Sequence, residues 1–242
     1  MKVVFVGAGP GDPELITLRG KKEIEEADVI IYAGSLVNRD ILKFAKKTAV
    51  LIDSSKINRP EIFDAYEKFI RENKKIVRIH SGDISFYSAI QEQIDFLTQK
   101  NVEIEIVPGV SSFAAASATL QRELTQSGVA QTLIITKPFG KTGKPKTEAI
   151  KDLSKHKATM IIFLGAHLIE DIVSELKSGY PKETPVAVVY KASWKKDEKV
   201  VIGSIEDISE KVKAAGINRQ AVIIVGDTLT SSGLSKLYGE KQ

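Results

Sequence analysis

Hydrophobic positions along the chain fall into two alternating kinds of segment. Short continuous runs rich in Val, Ile and Leu occupy residues 2–7, 29–33, 50–53, 76–80 and 104–107. Each reads as a strand covered on both faces, because the apolar residues do not alternate with polar ones. Between them, residues 13–27, 39–46, 60–73 and 87–100 carry helical patterns. Alternating β and α segments predict a parallel sheet flanked by helices, so the first half is expected to be an open α/β domain. The second half continues with strand-like runs at 133–136, 160–164, 186–190, 200–203 and 222–225. The polar connection 191–199 is too short for a helical crossover, which makes its two flanking strands antiparallel and the second sheet mixed. The small, Ala/Ser-rich stretch 109–120 and the polar stretch 121–131 mark a boundary. We therefore expect two α/β domains, residues 1–117 with a mainly parallel sheet and residues 118–242 with a mixed one. Loop 138–147, punctuated by Pro138, Gly140, Gly143 and Pro145, is expected to be exposed and mobile.

Composition narrows the class. The 242 residues are 27% charged and 43% hydrophobic, ordinary for a soluble globular protein. No apolar run approaches the roughly 20 residues that span a bilayer. Gly7 and Gly9 interrupt the first apolar stretch, which is too short for a secretory signal, so a cytoplasmic location is expected and no membrane partner. There are no cysteines, which excludes disulfides, thiolate metal sites and cysteine nucleophiles. His80, His156 and His167 lack metal-ligand spacing, and no metal is expected. The net charge is +4, but basic residues are interleaved with acids, as at Lys21, Lys22, Glu23 and Glu25, so no nucleic-acid-binding face stands out.

Candidate chemistry lies at three glycine-bearing turns. The first strand runs into Gly7-Ala8-Gly9-Pro10-Gly11-Asp12-Pro13. This is not a dinucleotide fingerprint: Asp12 occupies the third glycine position and would repel a pyrophosphate, and Pro10 has no N–H to offer. Asp12-Pro13-Glu14 reads as a helix N-cap with proline at the first helical position. The glycines and Pro10 suit a neutral or cationic ligand at close approach. The second turn, His80-Ser81-Gly82-Asp83-Ile84-Ser85-Phe86-Tyr87, follows the fourth strand, and the third, Pro108-Gly109-Val110-Ser111-Ser112-Phe113, follows the fifth. All three occupy carboxyl ends of parallel strands, where open α/β sheets bind ligands. In structural terms, Asp83 reads equally as a helix N-cap, Tyr87 as packing, Phe86 and Phe113 as core or pocket wall, and His80 as a strand-end residue.

These segments resemble the tetrapyrrole (corrin and porphyrin) methyltransferases that depend on S-adenosylmethionine. GAGPGDPELITLRG is similar to the family's opening signature, HSGDISFYSAI to its Gly-Asp-x-x-x-Tyr segment, and VPGVSSFAAASATLQRELT to its third. The resemblance continues through TMIIFLGAHLI, GYPKETPVAVVYKASW and AVIIVG, and so spans nearly the whole chain. YAGSLVN, RELTQ and VYKASW look most like the precorrin-4 C11-methyltransferases of cobalamin biosynthesis, in metal-free or cobalt form. Ile84 stands where many members have proline, and Ala130 where this subgroup often has serine.

The resemblance implies two α/β domains with the cofactor in the cleft between them, and S-adenosylhomocysteine as product. Carried over by motif, the cofactor-binding residues are Pro10, Ser81, Gly82, Asp83, Phe86, Ser111 and Ser112, with Leu164 and Ala192 covering the adenine. It implies methyl transfer to a nucleophilic ring carbon of an anionic tetrapyrrole, governed by orientation. Tyr32-Ala33 stands where sirohaem-forming relatives have an aspartate after the tyrosine, so no catalytic base is named. Lys56, Arg59, Arg122, Lys137 and Lys191 follow strand ends or loops and are candidates for the substrate carboxylates, although for each a solvated surface charge is the better single reading. Family members are usually homodimers, so the resemblance implies a homodimer here, and residues 113–120 serve either an interface or a core. The alternatives are methylation at C17 or C20 or of uroporphyrinogen III, a diphthine synthase-like enzyme, and a non-enzymatic nucleotide- or nucleic-acid-binding module. An NAD-linked dehydrogenase is disfavoured by Pro10 and Asp12.

Overall fold

Five strands of the first half form one sheet: β1 (Lys2–Gly7), β2 (Val29–Tyr32), β3 (Val50–Asp53), β4 (Ile76–His80) and β5 (Glu103–Val107). Their order is β3-β2-β4-β1-β5, and every neighbouring pair is parallel. The computed structural model describes residues 2–140 and 143–233, so residues 141 and 142 of loop 138–147 lie outside the described residues. The chain divides into two compact units, Met1–Ser112 and Phe113–Gln242.

In the first unit the two faces of the sheet follow the period-2 alternation of strand side chains. Val4, Val6, Ile30, Tyr32, Val77 and Ile79 form one core cluster, together with Ile24 of helix α1 (Leu18–Glu26). Val3, Phe5, Val29, Ile31 and Ile76 face the other way, against Tyr66 and Phe69 of α2 (Arg59–Arg71) and Leu97 of α3 (Gln91–Gln99). Helix α2 starts where the sequence can cap it: the Asn58 side chain accepts from Glu61 N–H while the Glu61 carboxylate accepts from Asn58 N–H.

Three local expectations need correction. The helical pattern over 13–27 is split into a 3-10 turn (Pro13–Leu15) and α1, because Ile16 and Thr17 are extended and the Thr17 hydroxyl caps Gly20 N–H. Residues 39–44 form a 3-10 rather than an α-helix. Helix α3 starts at Gln91 rather than near 87, since Tyr87 and Ala89 adopt left-handed φ of 54° and 49°. Not every apolar run is covered on both faces, either. β3 and β5 are sheet edges, and Val50, Leu51 and Ile106 are exposed there.

The second unit holds β6 (Leu133–Thr136), β7 (Thr159–Ile162), β8 (Pro185–Tyr190), β9 (Lys199–Ser204) and β10 (Ala221–Val225), in the order β6-β7-β10-β8-β9. β6 and β7 are parallel, and the remaining pairs are antiparallel, including β8 with β9 across the short connection. On one face, Met160, Ile162, Val186, Val188, Ile223 and Val225 pack against residues of α4 (Ile169–Leu176) and α5 (Ile208–Ala214). On the other, Ile161, Ala187, Val189, Val222 and Ile224 pack against Ala115 and Ala116, with Phe113 and Leu120 beside them. Residues 113–120 are therefore used in a core. Among the described residues no helix is long and apolar enough to cross a membrane.

Candidate functional site

Strand order determines where the first unit can take a ligand. From β1 the chain leaves towards β2 and β3, whereas from β4 it leaves past β1 to β5. Neighbouring strands whose connections depart in opposite directions leave a crevice outside their carboxyl ends, the topological switch point of an open α/β sheet. The first turn follows β1 and the second follows β4, so both flank that point.

The first and second turns are joined through their backbones. Ala8 N–H donates to His80 O at 2.8 Å, Gly9 N–H to Gly82 O at 3.2 Å, and Gly82 N–H to Gly9 O at 2.7 Å. Gly7 and Gly109 need to be glycines for want of room. A Cβ on Gly7 would lie 2.6 Å from Gly109 N and 2.9 Å from Gly82 O, and a Cβ on Gly109 would strike Gly82 O and Gly7 O. Gly82 differs: its φ is +68°, and the nearest atom to an added Cβ is Ser112 N at 3.8 Å. There the requirement is conformational rather than steric. Asn38 adds a support that sequence reading did not single out, its Nδ2 donating to Gly11 O at 2.9 Å.

Asp83 fastens the second turn to the third. Its Oδ1 accepts from Ser85 N–H at 2.9 Å and its Oδ2 from Gly109 N–H at 2.8 Å. No helix starts there, so the N-cap alternative is replaced by a turn cap with a cross-turn tie. Burial pushes the Asp83 carboxyl upward, but hydrogen bonds from Ser85, Gly109 and Ile84 outweigh it and hold it below the usual carboxylate range. The junction thus carries an anion at neutral pH. Asp12 is the N-cap expected from its sequence, accepting from Glu14 N–H at 3.0 Å, although of a 3-10 turn. Pro10, Gly82 and Ser111 are buried; Ser81, Phe86 and Ser112 are half-buried. Tyr87 is 42% exposed, so it does not serve as core packing.

The second unit holds two strained strand ends. Leu164, just past β7, has a left-handed φ of 56° and is 60% exposed. Past β8, Lys191 (φ 48°) and Ser193 (φ 69°) flank the buried Ala192. Left-handed backbone at non-glycine residues costs of order 1–3 kcal/mol each and collects at ligand sites. The 191–198 loop is held by Glu198, whose Oε2 accepts from Ser193 N–H at 2.5 Å and from Thr119 Oγ1 at 3.1 Å.

The cations proposed for substrate are dispersed. Lys56 is exposed. Arg59 pairs with Glu92 at 2.5 Å, and Arg122 donates to Ser231 O at 3.5 Å. Lys191 is half-buried, and its Nζ lies 2.7 Å from Asp197 Oδ2 and 4.8 Å from the Trp194 ring centroid. Lys137 is half-buried, and its carbonyl accepts from Lys144 Nζ at 2.8 Å. Among the described residues no group of three or more His, Asp or Glu is placed to hold a metal ion.

Comparison with known proteins settles what this arrangement belongs to. Residues 2–209 match the family model of the tetrapyrrole (corrin/porphyrin) methylases. The chain belongs to that family. It is 55% identical over 240 residues to a cobalt-precorrin-4 C(11)-methyltransferase of Methanocaldococcus jannaschii, covering 98% of this chain and 92% of that one. The solved structure of the cobalamin biosynthetic enzyme cobalt precorrin-4 methyltransferase, CbiF, superposes with a TM-score of 0.92 at 41% identity, covering 95% of this chain and 96% of that one. A uroporphyrin-III C-methyltransferase from Thermus thermophilus, solved with S-adenosylhomocysteine, gives a TM-score of 0.79 at 27% identity, covering 95% of this chain and 99% of that one. The two α/β sheets, one parallel and one mixed, are thus the fold of a methylase family.

Proposed function

We propose that this protein is an S-adenosylmethionine-dependent C-methyltransferase of cobalamin biosynthesis that methylates C11 of cobalt-precorrin-4. The observation that carries the substrate assignment is the near full-length 55% identity to a relative of that activity. The uroporphyrin-III methylase, at 27%, supports the same chemistry and cofactor class but not the same ring position.

The first unit fits such a cofactor. Its turns offer no phosphate cradle: Pro10 lacks an N–H, and Asp12 and Asp83 are acidic. They offer instead backbone at Gly82, where the nearest atom to an added Cβ is Ser112 N at 3.8 Å, and one anion at the junction. S-adenosylmethionine supplies an electrophilic methyl on a cationic sulfonium, together with an ammonium and a carboxylate. Pro10, Ser81, Gly82, Asp83, Phe86, Ser111 and Ser112 hold its amino-acid and ribose end in this reading, and Leu164 and Ala192 keep the adenine role implied by the family resemblance. The chain's contribution is to orient. The first two turns are tied by backbone bonds and the third is tied to the second by Asp83, so the ligand meets a surface with little freedom left to lose. Holding two reactants in line supplies roughly 7–11 kcal/mol in favourable cases, without an acid or base.

The test is incubation of purified protein with S-adenosylmethionine and cobalt-precorrin-4, with uroporphyrinogen III in parallel. Gain of one methyl, placed at C11 by NMR, is expected for the first substrate alone. Transfer to uroporphyrinogen III with none to cobalt-precorrin-4 would overturn the substrate assignment, and failure to bind S-adenosylhomocysteine would overturn the reaction class.

A further inference from the structure

On the α2/α3 face of β4, Arg78 is only 5% exposed, and among the described residues no carboxylate pairs with it. Its Nε donates to Gln93 Oε1 at 3.3 Å and its Nη1 to Ser54 Oγ at 2.9 Å. Both acceptors are neutral, and Gln93 Oε1 also takes the Tyr66 hydroxyl at 2.9 Å. A guanidinium has five N–H donors, and these two bonds to neutral acceptors leave its charge without a counter-ion among the described residues. Two residues further along the same face, His80 is 7% exposed, and its Nε2 is buried without a hydrogen-bond partner. Burial first, and then the Arg78 charge, push the His80 imidazole down to about 3, so it is neutral. His80 directly precedes the second turn and pairs in register with Gly7 at the start of the first.

One chemistry meets both deficits. An anionic oxygen beside the guanidinium would supply its counter-charge, and the unpartnered imidazole nitrogen two residues along would share that oxygen. We propose that Arg78 and His80 form a carboxylate-binding subsite beside the second turn. This rests on the methyltransferase reading, which brings carboxylates from two sources: the amino-acid end of the cofactor and the acid side chains of the ring. The competing explanation is a purely internal bracket, in which Arg78 orients Gln93 and Gln93 Nε2 in turn holds Ala89 O at 3.4 Å.

The experiment is NMR of the full chain with 15N-labelled histidine, His80 being identified by the signal lost in His80→Asn. Three probes are titrated: S-adenosylhomocysteine, 5′-methylthioadenosine (the same nucleoside without the amino-acid end) and uroporphyrin III. We expect the His80 signal to move with S-adenosylhomocysteine or with uroporphyrin, whichever places the carboxylate, and to stay fixed with methylthioadenosine. Arg78→Met should weaken the responding probe about tenfold or more and leave methylthioadenosine unchanged, with Arg78→Lys falling between. The wild-type titration stands by itself if Arg78→Met fails to fold. A His80 signal that moves with neither S-adenosylhomocysteine, while it binds, nor uroporphyrin III overturns the subsite and leaves the methyltransferase reading standing, as does an equal response to methylthioadenosine. No binding of S-adenosylhomocysteine overturns that reading, and the subsite with it.

Discussion

Replacing Asp83 by asparagine separates the carboxylate's charge and double acceptance from its shape. In the native protein both oxygens accept backbone N–H groups, one from Ser85 and one from Gly109. Asparagine keeps one acceptor and turns an NH2 towards the other N–H, most damagingly that of Gly109. A hydrogen bond to a charged group contributes roughly 1.5–3 kcal/mol, and a donor left facing a donor adds a desolvation cost. We expect the tie between the turns to weaken by about 2–4 kcal/mol, which corresponds to roughly 30-fold or more in local opening. Amide exchange at Gly109 reads this directly, because that N–H is the one released. Calorimetric titration with S-adenosylhomocysteine reads its consequence for binding. The pH dependence has a definite sign. The folded Asp83 carboxyl titrates below its usual value, so its stabilisation is present above the unfolded pKa and is lost as pH falls through the folded one. Wild-type Gly109 protection should therefore decline in acid, with Asp83→Asn lacking that component. If Gly109 exchanges as slowly in Asp83→Asn as in the wild type, the carboxylate does not join the turns, and the account of the site is wrong.

Gly109→Ala should be far more damaging than its size suggests, because its Cβ meets the Gly7 and Gly82 carbonyls. We expect loss of about 2 kcal/mol or more in urea unfolding, together with loss of S-adenosylhomocysteine binding. Gly128→Ala, at φ +75° with nothing within 4 Å of the added methyl, should cost only about 1–2 kcal/mol of backbone strain. Tyr66→Phe removes one of two donors on Gln93 Oε1 in a fully buried place and should cost about 1–2 kcal/mol by urea unfolding, with the fold unchanged by circular dichroism. Lys191→Met should shift the emission of Trp194, the chain's one tryptophan, because the ammonium lies over that ring. The hydrogen bond with Asp197 holds the Lys191 ammonium above its usual value, so the small contribution of this pair should persist below the unfolded pKa and fade as pH rises through the folded one.

How much of this was legible beforehand depends on whether a signal was local. Strands β1, β3, β4 and β6 have the limits that the apolar runs imply, because continuous Val/Ile/Leu stretches bounded by polar residues leave little ambiguity. The antiparallel β8–β9 pair followed from connection length alone. Coverage was not local: residues 50–53 look like a buried strand, and only strand order reveals an edge with Val50 and Leu51 exposed. The site shows the same division. Asp12 as an N-cap was readable because its partner is two residues away, whereas the partner of Asp83 at Gly109 lies 26 residues on and appears only when β4 and β5 flank β1. Arg78 shows where pattern reading fails altogether. Within Ile76-Val77-Arg78-Ile79-His80 it looks like a polar interruption of an apolar strand, easily set aside as an edge residue. β4 is central, however, so a charge there is buried by topology, and what compensates it becomes a chemical question. A polar residue inside a central parallel strand, more than any exposed lysine, therefore marks a buried charge whose compensation lies outside its own strand.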